Sequence, residues 1–271
     1  MSLQSRGKKS GRARQGRGPG SRRSPSLRLG GSPRLPDRLY AAALLVASSP
    51  AVAETTATAF LNATSNYVYR AYTKSDDRPT LQANFDLLHA RTGLIAGAWV
   101  AAVDFGGARL EAYPYAGKRW RITEDWRLDA MLAAYLYDDR VFEESANYLE
   151  AQALLHYRDL LSLRAGTAPD AYGRGSNVPN LQIDARYPLS ATVDVSAGLG
   201  YDRARPALGY DDVHWNLGLT WFPTRHLSAD LRYYDAAEFN GAPELGDGAV
   251  HGPFEDLLID ATVVFTVTVG F

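Results

Sequence analysis

From Glu54 onward the chain alternates between apolar and polar positions, and the pattern is clearest at its end. Counting back in twos from Phe271 gives Val269, Val267, Phe265, Val263, Ala261, Ile259 and Leu257. The intervening set is Gly270, Thr268, Thr266, Val264, Thr262, Asp260 and Leu258. One face is wholly apolar and the other mostly small or polar, the period-2 signature of a strand standing between two different solvents. Residues 255–271 also exceed the mode of about 5–6 residues for strands of soluble proteins. A strand tilted across a bilayer needs roughly 9–11 residues. The pattern predicts one face in lipid and the other in a polar lumen.

The same alternation predicts strands over 58–72, 79–89, 94–105, 108–119, 125–137, 146–157, 160–168, 178–187, 191–201, 213–222, 227–235 and 255–271. The third is apolar on both faces, and Pro114 removes a ladder donor from the fourth. Links after even-numbered strands are short, whereas those after odd-numbered strands are mostly longer and polar; Gly106-Gly107 is the short exception. Short turns alternating with long loops on an even number of antiparallel strands predict an all-β, up-and-down transmembrane barrel of twelve strands, with both termini in the periplasm. In that topology Trp126, Tyr157, Tyr187, Trp221 and Phe271 form a periplasmic belt, and Tyr69, Tyr72, Tyr137, Tyr201 and Tyr233 an outer one.

The register assigns the lumen wall. Predicted inward residues are Asn62, Asn66, Arg70, Gln82, Asn84, Asp86, Arg109, Glu111, Arg127, Asp129, Glu150, Gln152, Arg164, Gln182, Asp184, Arg186, Asp194, His214, Asn216, Asp230, Arg232 and Asp260. Their charges must be solvated or paired, because isolated burial costs several kcal/mol or more. Two interiors follow, a narrow water-filled pore or a lumen plugged by ion pairs. Acids outnumber arginines in this set. Asp76, Asp77, Asp138, Asp139, Glu143, Glu144, Asp211, Asp212, Glu244 and Asp247 add negative charge to the predicted outer loops. Acidic mouths concentrate cations, so an open pore is expected to lean towards them. The rival reading is that these acids solvate the loops or hold divalent cations shared with lipopolysaccharide.

Composition separates the front of the chain from the rest. The 271 residues carry a net charge of -1 and no cysteine, which excludes disulfides and thiolate chemistry. No run approaches 18 apolar residues, and the mean hydropathy of -0.25 suits alternating strands. Within residues 1–38 eleven Lys and Arg face Asp37 alone, leaving 54–271 at -11. This basic, Gly- and Ser-rich extension is expected to be disordered, or to reflect a start assigned too far upstream. It carries no aromatic for base stacking, and no nucleic-acid role is expected of it. Residues 39–53 read as the apolar and cleavage regions of a signal peptide, with Ala51-Val52-Ala53 placing cleavage before Glu54. Residues 54–271 form the barrel domain, destined for the outer membrane.

Residues 64–105 carry a more specific signal. Tyr67, Arg70, Gln82, Trp99, Val103, Asp104 and Phe105 resemble the TorF porin family, which has a Ser-x-Tyr-x-x-Arg-Gly opening and a Gly-x-Trp-x-x-x-Val-Asp-Phe segment. Ala71 and Ala83 stand where that family usually has glycine, marking a divergent member. The resemblance implies a barrel that conducts small solutes, with no catalytic residues to carry over. Phe265, Val267, Val269 and Phe271 are expected to form the signal read by the barrel-assembly machinery, as in outer-membrane proteins generally.

Two other function classes are weighed against a conduit. An outer-membrane lipid hydrolase needs a nucleophile beside a base, and His226-Leu227-Ser228 has a suitable spacing, though both are expected to face the lumen. His156 and His214 lie on different strands, and neither a metal nor another cofactor is expected. A structural or adhesion barrel would act through its outer loops, 236–254 above all. Expected partners are outer-membrane lipid and lipopolysaccharide, the assembly machinery and small solutes; oligomeric state is not encoded in any recognisable pattern.

Overall fold

The computed structural model describes residues 54–239, 254 and 257–271. The basic extension, the signal-peptide region with Ala51 and Ala53, and most of the 236–254 loop lie outside the described residues. Twelve antiparallel strands form a closed barrel. They are β1 (Thr55–Thr64), β2 (Thr80–His89), β3 (Leu94–Phe105), β4 (Ala108–Arg121), β5 (Trp126–Tyr137), β6 (Tyr148–Tyr157), β7 (Leu161–Ala168), β8 (Val178–Pro188), β9 (Val193–Asp202), β10 (Asp211–Trp221), β11 (Leu227–Phe239) and β12 (Thr262–Gly270). Each pairs with its sequence neighbours, and β1 closes the ring on β12 through Phe60–Gly270 to Thr64–Thr266. Closure leaves no sheet edge and satisfies the backbone within the ring, the condition for strands to cross hydrocarbon.

Alternation decides which way each residue points. Leu61, Leu81, Leu132, Leu149, Leu181, Leu199, Leu217 and Leu231 are exposed on the outside. Asn62, Gln82 and Gln182 on the same strands, and Thr268 on β12, are buried within. Trp126, Tyr187, Trp221 and Phe271 are exposed at the end of the barrel where Glu54 and Phe271 lie, with the Tyr157 ring tilted against Trp126 at 4.9 Å. We call this the terminal end and its opposite the loop end. Pro114 points outward; β4 continues through it, while pairing with β5 lapses between Ala112 and Tyr115.

The structure departs from the expected strands at the first and last. β1 stops at Thr64 rather than running on to residue 72. There the chain turns inward as a small hairpin of Val68–Tyr69 against Tyr72–Thr73, with Arg70 at a left-handed φ of 56° in its turn. Several of its polar groups are satisfied locally, which favours the turn. Thr64 Oγ1 donates to the Asn66 carbonyl (3.1 Å), the Tyr67 amide donates to Ser75 Oγ (2.8 Å), and the Asn66 side-chain oxygen accepts from Thr73 (2.7 Å) and Ser75 (3.0 Å). β12 begins at Thr262, not 255, because Leu258 bridges Tyr72 and the Ile259 amide bonds the Ala71 carbonyl (2.9 Å). The alternation of Leu257 and Ile259 therefore serves the inner hairpin, and both are buried rather than facing lipid.

Candidate functional site: the lumen

The inward faces of β3 to β6 are aromatic towards the loop end. Tyr113, Tyr135 and Tyr148, on three successive strands, stack nearly parallel, with centroids 5.0 and 4.5 Å apart and interplanar angles of 6° and 8°. Tyr115 extends the row at 5.4 Å from Tyr113. Phe105 packs on Tyr137, Phe142, Tyr172 and Phe254 at 5.7 to 6.3 Å. Such pairs contribute about 0.5–1.5 kcal/mol each beyond their burial. Tyr69, Tyr72 and Tyr137, expected in an outer lipid belt, instead lie in this packing; Tyr201 and Tyr233 do face outward. Tyr69 and Tyr72 depart from the expected belt for one physical reason: β1 ends at Thr64 and the chain turns inward there. Tyr137 lies on the predicted strand but shares the inward parity of Tyr135.

The inner hairpin is anchored in this cluster by charge. Lys74 is fully buried, its Nζ donating to Glu111 (2.7 Å) and to the Tyr137 hydroxyl (2.8 Å). The rings of Tyr69, Phe105, Tyr135 and Tyr137 surround that ammonium at 4.7 to 5.5 Å, a geometry in which cation–π attraction is strong because water is excluded. Arg70 reaches the far wall, pairing with Glu150 and, at 3.4 Å, with Asp202. Tyr72 donates to Asp212 at 3.3 Å, and Tyr69 and Tyr135 share a hydroxyl hydrogen bond of 2.6 Å. Segment 65–75 thus crosses the loop-end lumen and is fastened on both sides.

Most residues predicted for the lumen wall face inward: Asn62, Gln82, Asn84, Asp86, Glu111, Arg127, Asp129, Glu150, Gln152, Arg164, Gln182, Asp184, Arg186, Asp194, His214, Asn216, Asp230 and Arg232. Asn66 and Arg70 also lie within, but on the hairpin segment rather than on a strand. Two residues are placed otherwise. Arg109 is 68% exposed at the rim, where it pairs with Asp104, and Asp260 is exposed ahead of β12. The wall also holds groups missing from the prediction. Asp202 and Asp212 face each other in register across β9 and β10, Asn180 bonds Glu150, and Lys74 comes from the hairpin segment. Extending the period-2 sets Gly198, Gly200 and Asn216, His214 by one step reaches Asp202 and Asp212. Nothing in the pattern marks Lys74. Acids expected to decorate outer loops are engaged locally: Asp76 pairs with Arg78, Asp77 accepts from Asn66, and Glu144 pairs with Arg174. Glu244 and Asp247 lie outside the described residues.

Pairing continues towards the terminal end. Arg119 grips Asp129 through two bonds of 2.9 and 2.8 Å, with Arg127 at 3.6 Å and His156 at 3.7 Å from the same carboxylate. His156 Nδ1 also meets Ser162 Oγ at 2.9 Å, but the Asp129 carboxylate that would orient this imidazole is held by Arg119. His226, the base of the hydrolase reading, lies 3.0 Å from the Gly270 carbonyl through Nδ1, while Ser228 is buried in the wall. Asp202, Asp212 and His214 bring potential metal-ligand atoms within 4.8 Å of one another; Arg70 already contacts the Asp202 carboxylate and Tyr72 that of Asp212.

Beneath the hairpin, between β7 and β12, lies a cavity of ≈ 210 Å³. Val68, Tyr69 and Arg70 contact its upper part, and it extends to Asp159 and Leu160 in a terminal-end turn. Polar side chains in its wall include Arg164, Arg186, Arg232, Asp184, Asp230, Asn216, Ser196, Thr220, Ser228, Thr266 and Thr268. Inward glycines make this room. A Cβ on Gly218 would lie 2.7 Å from the Arg232 guanidinium carbon, so its absence lets Arg232 lie flat against the wall. By contrast, the cavity beside Tyr72, Tyr148 and Tyr172 measures ≈ 20 Å³, about one water.

The chain belongs to the Gcw_chp family, described as a bacterial protein of unknown function, which it matches over residues 47–271. No curated protein matches it. Among solved structures it is similar to a membrane protein from a study of in-meso crystallisation, at 10% identity and a TM-score of 0.50, covering 79% of this chain and 83% of that one. It is also similar to the KdgM porin in complex with disordered oligogalacturonate, at 8% identity and a TM-score of 0.48, over 79% and 96% of the two chains. An outer membrane channel from Pseudomonas putida matches at 10% identity and a TM-score of 0.46, over 82% and 97%. At 10% identity the likeness to the first of these is one of fold.

Proposed function

We propose that the chain is an outer-membrane barrel that passes small hydrophilic solutes by diffusion, a porin-like conduit rather than an enzyme. One observation carries the reading: a closed ring, apolar outside, encloses a cavity of ≈ 210 Å³ whose wall carries charged and hydroxyl groups. An exposed apolar band of this extent is stable against hydrocarbon rather than water. On this reading the terminal end is periplasmic and a signal peptide cut before Glu54 directs export. Lipopolysaccharide surrounds the outer rim, and Phe265, Val267, Val269 and Phe271, on the outward face of β12, are presented to the assembly machinery. The resemblance of residues 64–105 to TorF porins supports the same function.

Inside, Asp86, Glu111, Asp129, Glu150, Asp184, Asp194, Asp202, Asp212 and Asp230 outnumber Arg70, Lys74, Arg119, Arg127, Arg164, Arg186 and Arg232. A cation preference follows. Conductance and reversal potential of the refolded barrel in a planar bilayer under a salt gradient test both claims. Small discrete steps with cation preference are expected, and anion preference would overturn the selectivity claim. A second reading, a non-conducting barrel that acts through its loops, draws on the filled loop end. Silence from both the native barrel and a Glu111→Ala variant would favour it.

A further inference from the structure

We propose that the cavity between β7 and β12 is a binding site for a small organic carboxylate, held by Arg164 and Arg186 and entered from the terminal end. The four arginines that line it are not equivalent. Arg232 is saturated, since its nitrogens donate to Asp230 at 3.1 and 3.0 Å, to Asn216 at 2.6 Å and to Ser196 at 2.8 Å. Arg70 is shared by Glu150 and Asp202. Arg164 is only 9% exposed, yet its bond goes to the neutral side chain of Gln182, and its Nε has no hydrogen-bond partner among the described residues. Arg186 gives its Nε to the Asp159 carbonyl (3.0 Å), while its Nη1 stands 3.7 Å from Asp194, too far for a hydrogen bond.

Buried guanidinium groups with open N–H donors are costly, and a carboxylate ligand offsets that cost with charge-assisted bonds. Neighbouring strands β7 and β8 carry both groups into one wall, with Arg164 opposite Gln182 in register. The opposite side offers hydroxyls, Ser228 and Thr268 among them, to the rest of the solute. The space of ≈ 210 Å³ admits several waters, and therefore a solute on the order of ten heavy atoms. The hairpin crosses the lumen towards the loop end, so entry is from the terminal side. The site rests on the reading of the lumen as open to solute, and it sets a local anion preference within a lumen whose total charge favours cations.

Isothermal titration of the refolded full barrel with succinate tests the site, with glucose as a neutral solute of similar size. Saturable succinate binding is expected, weakened at least tenfold by Arg164→Gln and by Arg186→Gln and largely retained in Arg164→Lys. Heat-modifiable gel migration verifies that each variant is folded. The proposal is overturned if the folded native barrel shows no saturable succinate binding, if glucose binds as tightly, or if both Gln variants bind succinate like the native chain. Titration does not depend on conduction, so the two readings fail separately. Binding without conductance sinks the channel and leaves the site, and conductance without binding sinks the site alone.

Discussion

The two halves of the lumen are built on one alternation and end as opposite interiors. Towards the loop end the inward positions of β3 to β6 hold Trp99, Phe105, Tyr113, Tyr135, Tyr137 and Tyr148, and the hairpin segment fills what space they leave. Towards the terminal end, β9 to β12 place Ser196, Gly198, Gly218, Ser228, Thr266 and Thr268 inward, and a cavity remains. The size of inward side chains, not strand number alone, therefore decides whether a barrel of this width is packed or hollow. Twelve strands stand between the eight that side chains fill and the sixteen that leave a channel, and this chain uses both solutions along one axis.

Removing the charge that fastens the hairpin should have the largest effect. Glu111→Ala leaves Lys74 buried among rings without its carboxylate, at a cost of about 3–5 kcal/mol. Urea unfolding should show that loss, and planar-bilayer recordings should show raised conductance as segment 65–75 loosens. The Lys74→Met/Glu111→Leu pair should be far less destabilising, because two apolar groups can replace a buried ion pair at little cost. If Glu111→Ala is neutral, the hairpin is not held by this pair.

Truncating the centre of the tyrosine row comes next. Tyr135→Ala removes a ring buried between Tyr113 and Tyr148 and should cost about 3 kcal/mol in the same unfolding assay. Succinate affinity in the terminal half should stay within twofold. A large change in affinity would show that the two halves are mechanically one unit, and the comparison would fail.

Gly218→Val probes the hollow half. The new Cβ crowds the Arg232 guanidinium, and overpacking of this kind costs about 1–3 kcal/mol. Stability should fall less than in Tyr135→Ala while succinate binding is lost. Retained binding would mean that the glycine is not what makes the room.

How legible these halves were in the sequence follows from the range of the signal. A period of two is local, so it located the twelve strands and the inward parity of Arg164, Asp184, Arg186 and Arg232 without tertiary information. It could not tell lipid from a packed lumen, because both reward apolar groups. Alternation therefore places Tyr69 and Tyr72 towards lipid, and Leu257 and Ile259 on a strand that begins only at Thr262. Lys74 was invisible for a different reason. Its partners Glu111 and Tyr137 are 37 and 63 residues away, and only the inward fold of the chain after Thr64 brings them together.

The smallest effect is expected at the rim, where Asp138 separates bulk electrostatics from local bonding. Its carboxylate accepts the backbone N–H groups of Leu110 (2.9 Å) and Arg109 (2.8 Å) and so holds the start of β4. The Leu110 amide above all keeps its carboxyl below the usual carboxylate range. A depressed folded pKa contributes stability that is present above the unfolded value of about 3.9 and is lost as pH falls through the folded value. Asp138→Asn should therefore lower stability slightly at neutral pH and flatten the acid limb of the unfolding profile below about pH 4. Cation preference in the bilayer should stay unchanged, because this charge is committed to two amides. A measurable loss of cation preference in Asp138→Asn would return the rim acids to the role of concentrating ions at the mouth.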